Sequence, residues 1–229
     1  MEKVKHSIGI ILLLILITYV CTWKGTQEVK AVFAQEGSND EKDDELKMVA
    51  LTFDDGPHAK YTEKLLDGLK ERGIKATFFL IGESIEGKEE LVRRMSEEGH
   101  LIGNHTYYHT QLTKVSTEEA CTEIWKTNTI IYEVTGKMPE YIRPPFGEWN
   151  EELACAVEML PVLWDIDPLD WKYQNKDRIV KHVVNNVKDG DIILLHDVYG
   201  TSVEAALEIV DKLKEKGYIF VTVDELMFN

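Results

Sequence analysis

Cysteine is scarce: three in 229 residues, at Cys21, Cys121 and Cys155. That is too few for a fold held together by disulfides. Only Cys121 and Cys155 lie beyond the apolar N-terminal run, both in stretches that read as helical, and the sequence leaves open whether they pair. Positive charge is also short, with 26 Lys and Arg against 41 Asp and Glu, a net charge of -15 and a pI near 4.9. A nucleic-acid partner is thereby disfavoured, because phosphate binding needs a basic face. Long-range attraction to anionic polymers is missing too, so a neutral or partly cationic substrate fits better. After residue 24 no apolar run exceeds the length of a strand.

What is present divides into three stretches. Residues 1–24 carry Lys3 and Lys5 and then the uncharged run "SIGIILLLILITYVCTW". This reads as a signal peptide or a short membrane anchor, since it has no polar face to mark a core helix. The small residues of "AVFA" resemble a cleavage site after Ala34 but lie far from the apolar run, and "TYV" before Cys21 makes no lipobox. Lysines ahead of the run follow the positive-inside rule and place the remainder outside the cytoplasm, secreted or anchored to the cytoplasmic membrane. Residues 25–46, with "QEGSNDEKDDELK" at their end, read as an acidic flexible tether. Residues 47–229, in a chain 44% apolar and 29% charged, form one soluble domain. Nothing calls for a second copy, and a monomer is expected.

In this domain short apolar runs alternate with amphipathic stretches about seven times. "MVALTF", "ATFFLIG", "HLIGNH", "YIRPPFG", "LPVLWDID", "DIILLHD" and "YIFVTV" barely alternate in polarity, as strands buried on both faces do. Gly73, Gly99, Gly136, Gly190 and Gly217 read as helix stops, and Thr62, Ser116, Asn150 and Ser202 as N-terminal caps. Repeated βα units imply an α/β fold with a parallel sheet, open and doubly wound or closed as a barrel. In either, ligands gather at the carboxyl ends of the strands.

Polar residues collect at those ends. Asp54 and Asp55 end the first strand, Asn104 and His105 the third, with His109 four residues on. Arg143 follows the fourth, Asp165 and Asp167 end the fifth with Asp170 and Trp171 beyond, and His196 and Asp197 end the sixth. His105 and His109 can face one point if their segment turns helically. Two imidazoles and a carboxylate make a common metal triad with open positions. Neighbouring residues at a strand end point different ways, so one of Asp54 and Asp55 can face a metal and the other a substrate.

Five motifs in this order, "TFDDG" (52–56), "HTYYH" (105–109), "RPPFG" (143–147), "DPLDW" (167–171) and "LLH" (194–196), closely resemble the polysaccharide deacetylases of the NodB-homology type, carbohydrate esterase family four. The resemblance implies an irregular (β/α) barrel of about seven parallel strands. It also implies metal-dependent removal of acetyl groups from an acetylated polysaccharide. By the match, Asp55, His105 and His109 hold a divalent metal: zinc first, with cobalt, nickel or manganese open. Asp54 is the general base and Arg143 positions it. His196 is the general acid, held by Asp170. Trp171 and Leu194 line the pocket for the acetyl methyl, and the backbone N–H of Phe146 helps steady the oxyanion. The family often has Tyr where Phe146 stands, which matters little if only the backbone acts. Relatives specialised for muramic acid tend to lack the second Asp of the first motif. Asp55 therefore favours N-acetylglucosamine in peptidoglycan, with chitin oligomers and acetylated xylan open. The rival of another class is an inactive carbohydrate-binding module.

Overall fold

The computed structural model describes residues 46–149 and 159–228. The readings of the apolar run, the acidic tether up to Glu45, Ala34, the Asn150 cap, and Cys21 and Cys155 lie outside them. Among the described residues, Cys121 is disulfide-bonded.

β1 (Lys47–Asp54) is the central strand; Val49, Ala50, Leu51 and Phe53 are wholly buried. The sheet runs β5 (Leu160–Pro161), β4 (Tyr141–Ile142), β3 (Leu101–Asn104), β2 (Thr77–Leu80), β1, β6 (Ile192–His196). β7 (Tyr218–Val221) pairs with the first half of β1 and β2 with its second half. Every pairing is parallel, as the unbroken apolar runs require.

The two ends of this order meet. After β5 the chain bonds first to β4, Val162 N–H to Ile142 O, and then to β6, Leu194 N–H to Ile166 O. Ile166 forms a parallel bridge with Ile193. The sheet thus closes through an irregular stretch, giving the irregular barrel of seven parallel strands expected from the sequence. β4 and β5 are two residues each, shorter than their apolar runs; β4 stops just short of Pro144 and Pro145, which cannot extend a ladder.

The helices cover the sheet: α1 (Tyr61–Arg72), α2 (Gly82–Ile85), α3 (Glu89–Glu97), α4 (Thr117–Thr135), α5 (Asp170–Tyr173), α6 (Lys176–Asn186), α7 (Gly200–Glu215) and α8 (Val223–Phe228). α1 buries Thr62, Leu65, Leu66 and Leu69, one helical stripe. Phe53 stacks on Phe78 in the main core.

Helix ends match the sequence in part. Gly73 and Gly136 cap α1 and α4 in the left-handed region. Gly99 and Gly217 lie one residue past their caps, whereas Gly190 sits in the turn before β6, since α6 ends at Asn186. Ser116 caps α4 as expected, accepting the Glu119 N–H. Thr62 and Ser202 do not cap: both lie inside their helices, buried. Asn175 caps α6 instead.

Candidate active site

Four strand ends converge. Asp54 ends β1 in register with His196, which ends β6. His105 follows β3 and Arg143 follows β4, the Arg143 N–H bonding to Asn104 O.

Asp54 Oδ1 accepts a hydrogen bond from Arg143 Nη1 at 2.9 Å. The wholly buried guanidinium also donates to Thr52 Oγ1 (2.6 Å), Val162 O (3.2 Å) and Leu163 O (2.9 Å). It lies 4.3 Å from the Phe79 ring centroid. Burial draws the Arg143 pKa below its ordinary value against the pull of Asp54. Removing one partner of such a pair strands the other charge. Arg143→Met is therefore expected to lose about 3–5 kcal/mol of folding stability. Denaturant unfolding checks this, and a loss under about 1 kcal/mol, as for an exposed ion pair, would contradict it.

Asp55 turns away from Asp54 through a left-handed backbone, φ 72°. Its Oδ1 lies 3.4 Å from His105 Nε2 and 3.6 Å from His109 Nε2. His105 Nδ1 is 2.6 Å from the carbonyl oxygen of Arg143. A carbonyl can only accept, so Nδ1 carries hydrogen, and Nε2, the nitrogen left to serve as a ligand, is the one on the Asp55 side. Burial would raise the Asp55 pKa, but the imidazoles of His105, His196 and His109 around it outweigh burial and hold it below its ordinary value. Burial, then the neighbouring His105, pushes His109 down. Asp55 Oδ1 is buried with no hydrogen-bond partner among the described residues. An orphaned carboxylate oxygen faced by two imidazole nitrogens suits a divalent cation, and these three residues could hold one.

The 105–109 segment does not turn helically. Thr106 and His109 have φ of 63° and 56°, and the histidines converge through a looped backbone.

His196 Nδ1 is 2.7 Å from Asp170 Oδ1, and Asp170 is wholly buried. Asp170 also accepts the N–H groups of His196 and Trp171. Burial opposes charge on His196, but the hydrogen bond and charge of Asp170, then the charges of Asp54 and Asp55, outweigh it and raise the imidazole to about 9. A cation held at Asp55 would draw that value down. Asp170 is presented by Leu169, at φ 55°, whose N–H is fixed by Asp167 Oδ1 at 2.7 Å.

Asp54, Asp55, His105, His109 and His196 line one cleft of about 390 Å³, walled by Pro144, Phe146, Trp164, Asp167, Trp171, Leu194 and Tyr199. Phe146, at φ 63° and 62% exposed, sets its ring 4.9 Å from His109. The residues given roles by the resemblance gather here, with Arg143 and Asp170 just beneath, whereas Asn104 bonds to Ile124 and Asn128 and Asp165 accepts the Ile192 N–H, both outside the cleft. The sequence reading missed Tyr199, which nothing in its local pattern marks. It also missed Thr52, which accepts from Arg143 and donates to Ile193 O. Asp197 lies behind the cleft, bonded to Thr62 and raised to about 7, chiefly by burial.

The family model described as polysaccharide deacetylase matches residues 41–162, and the chain belongs to that family. It is 45% identical over 184 residues to the peptidoglycan-N-acetylmuramic acid deacetylase PdaC of Bacillus subtilis, covering 80% of this chain and 39% of that protein. It is 43% identical over 180 residues to the peptidoglycan-N-acetylglucosamine deacetylase PgdA of Listeria monocytogenes, covering 79% of this chain and 39% of that one. The chain therefore spans about two fifths of the length of these curated relatives. The solved structure of the Bacillus subtilis PdaC superposes with a TM-score of 0.78 at 45% identity, over 80% of this chain and 91% of that one.

Proposed function

We propose that the chain is a metal-dependent hydrolase that removes N-acetyl groups from N-acetylglucosamine residues of peptidoglycan. One observation carries this: an orphaned Asp55 oxygen facing two imidazoles, flanked by a carboxylate on a buried arginine and an imidazole on a buried carboxylate. A carbohydrate-binding module needs neither of the flanking pairs.

Asp55, His105 and His109 are the residues that would hold the cation. A divalent ion there, zinc first among the candidates, supplies Lewis acidity towards water and the acetyl carbonyl. Asp54, oriented by Arg143, takes the proton of the attacking water. His196 donates a proton to the leaving nitrogen as the C–N bond breaks, so a neutral amine departs. The Phe146 N–H offers a donor to the oxygen that gains charge. Trp171 and Leu194 enclose the methyl group.

The test is acetate release from purified peptidoglycan, followed by mass spectrometry of the disaccharides. Glucosamine is the expected product. The name of PdaC favours muramic acid as a second reading, and deacetylation confined to muramic acid would replace the first. Release from acetylated xylan alone would make the chain an esterase. Metal uptake without any release would leave a binding module.

The apolar run after Lys3 and Lys5 supports action outside the cytoplasmic membrane. The described residues contain no helix long and apolar enough to cross a membrane. Protease added to protoplasts should degrade the domain, and full protection would refute the placement.

A further inference from the structure

Glu123 is a carboxylate on the inward face of α4, 6% exposed. Among the described residues no Lys, Arg or His pairs with it. A buried carboxylate with no cationic partner needs donors. Its Oε2 takes three: Tyr107 N–H (3.2 Å), Tyr108 N–H (2.8 Å) and Thr110 Oγ1 (3.0 Å). These belong to the turn between His105 and His109 and to the residue just after it. Two successive N–H groups aimed at one oxygen is what a concave, non-helical turn offers an anion. It fits the left-handed Thr106 and His109 at its ends.

The same helix holds the near side of that turn. Asn104 Nδ2 donates to Ile124 O (2.9 Å) and Asn128 Oδ1 (2.7 Å), while Asn104 Oδ1 accepts the Thr106 N–H (2.6 Å). α4 therefore grips the segment on both sides of its bend.

We infer that Glu123 is a positioning residue for the cation site: by fixing the turn between His105 and His109 it sets the spacing of their imidazoles and hence metal affinity. This rests on reading Asp55, His105 and His109 as the metal ligands. Glu123 touches neither cation nor substrate. Its effect should appear in affinity and vanish from turnover once the site is filled.

The experiment measures zinc affinity of the 229-residue chain by competition with a chromophoric chelator. Wild type, Glu123→Ala, Glu123→Gln and Ile131→Ala are compared. Ile131 is a buried core residue on the same helix, 2% exposed. Glu123→Ala should weaken zinc binding about ten- to a hundredfold, the usual worth of a group that orients a ligand. Its kcat at saturating zinc should stay near wild type. Gln keeps one acceptor oxygen without the charge, so Glu123→Gln should fall between the two. Ile131→Ala should lower the melting temperature and leave zinc affinity alone. Affinity unchanged in both Glu123 variants overturns the inference, as does an equal loss in Ile131→Ala. If Glu123→Ala does not fold, Glu123→Gln carries the test by itself. A wild-type protein that takes up no zinc removes the metal-site reading and this one together, whereas a wild type that binds normally beside unaffected Glu123 variants removes only this one.

Discussion

Asp54→Asn is expected to retain its metal while turnover falls by about two to four orders of magnitude, the worth of a positioned proton acceptor. The geometry explains the separation. Asp54 Oδ1 is tied to Arg143, and Oδ2 lies 3.8 Å from His105 Nε2, nearer the cleft. An asparagine must turn its carbonyl oxygen to the arginine, because its NH2 would meet a donor there. The NH2 then faces the cleft, a donor where an acceptor is needed. Asp55→Asn should fail differently. It removes an anionic ligand, so metal affinity drops and added metal partly restores the rate. His105→Ala, which removes an imidazole, should lose metal and activity together. Metal content and rate measured on the same preparations decide the matter. Loss of metal in Asp54→Asn with retention in Asp55→Asn would mean that the two roles are exchanged.

That the two adjacent acids point in different directions was legible in the sequence, because strand geometry alternates side chains: Asp54 turns to Arg143 with one oxygen near His105, and Asp55 sits between both histidines. The means was not. Asp55 reaches the imidazoles through φ 72°, a conformation uncommon for a residue with a Cβ. Residues at the cleft repeat the pattern: His109, Phe146 and Leu169 are also left-handed. None is a glycine, so composition carries no trace of them, and surrounding contacts must hold the strain. The βα rhythm, by contrast, was legible wherever the structure describes the chain, since burial on both faces of a parallel strand writes an unbroken apolar run; the helix read in "NEELACAVEM" lies outside the described residues.

Glu123 shows where pattern reading stops. α4 buries Ala120, Glu123, Ile124, Thr127, Asn128 and Ile131, a clean helical stripe, yet half of those positions are polar. Read as a hydrophobic pattern the stripe looks weak, and Glu123 looks like one more solvated acid in a chain rich in them. Only the fold shows that this face is inside, and that its polar residues meet the backbone of the looped turn. Arg143 was legible because a lone arginine before two prolines at a strand end is conspicuous. Its other partners, Thr52 in β1 and Val162 and Leu163 in the irregular stretch after β5, lie far off in sequence and leave no local mark.

Asp170→Asn is expected to move the basic limb of the pH–rate profile towards acid without displacing the metal. A general acid works only while protonated. In the wild type Asp170 holds His196 protonated up to about 9, lower once a cation is bound. The rate should therefore persist through neutral pH and fall as pH rises through that value. With Asp170 neutralised, burial, which disfavours charge, becomes the main influence on His196. The imidazole pKa drops, the limb shifts down with it, and activity at neutral pH is lost while part of it returns in acid. Asn must also turn its NH2 towards an N–H of His196 or of Trp171, since Asp170 accepts from both. Some stability will go too, but stability loss alone does not move a limb in a defined direction. His196→Ala removes the acid altogether. It should keep its metal, lose about two to four orders of magnitude in turnover, and show no basic limb of this origin. An unmoved limb in Asp170→Asn would detach Asp170 from proton delivery. Metal loss in His196→Ala would place His196 among the ligands instead.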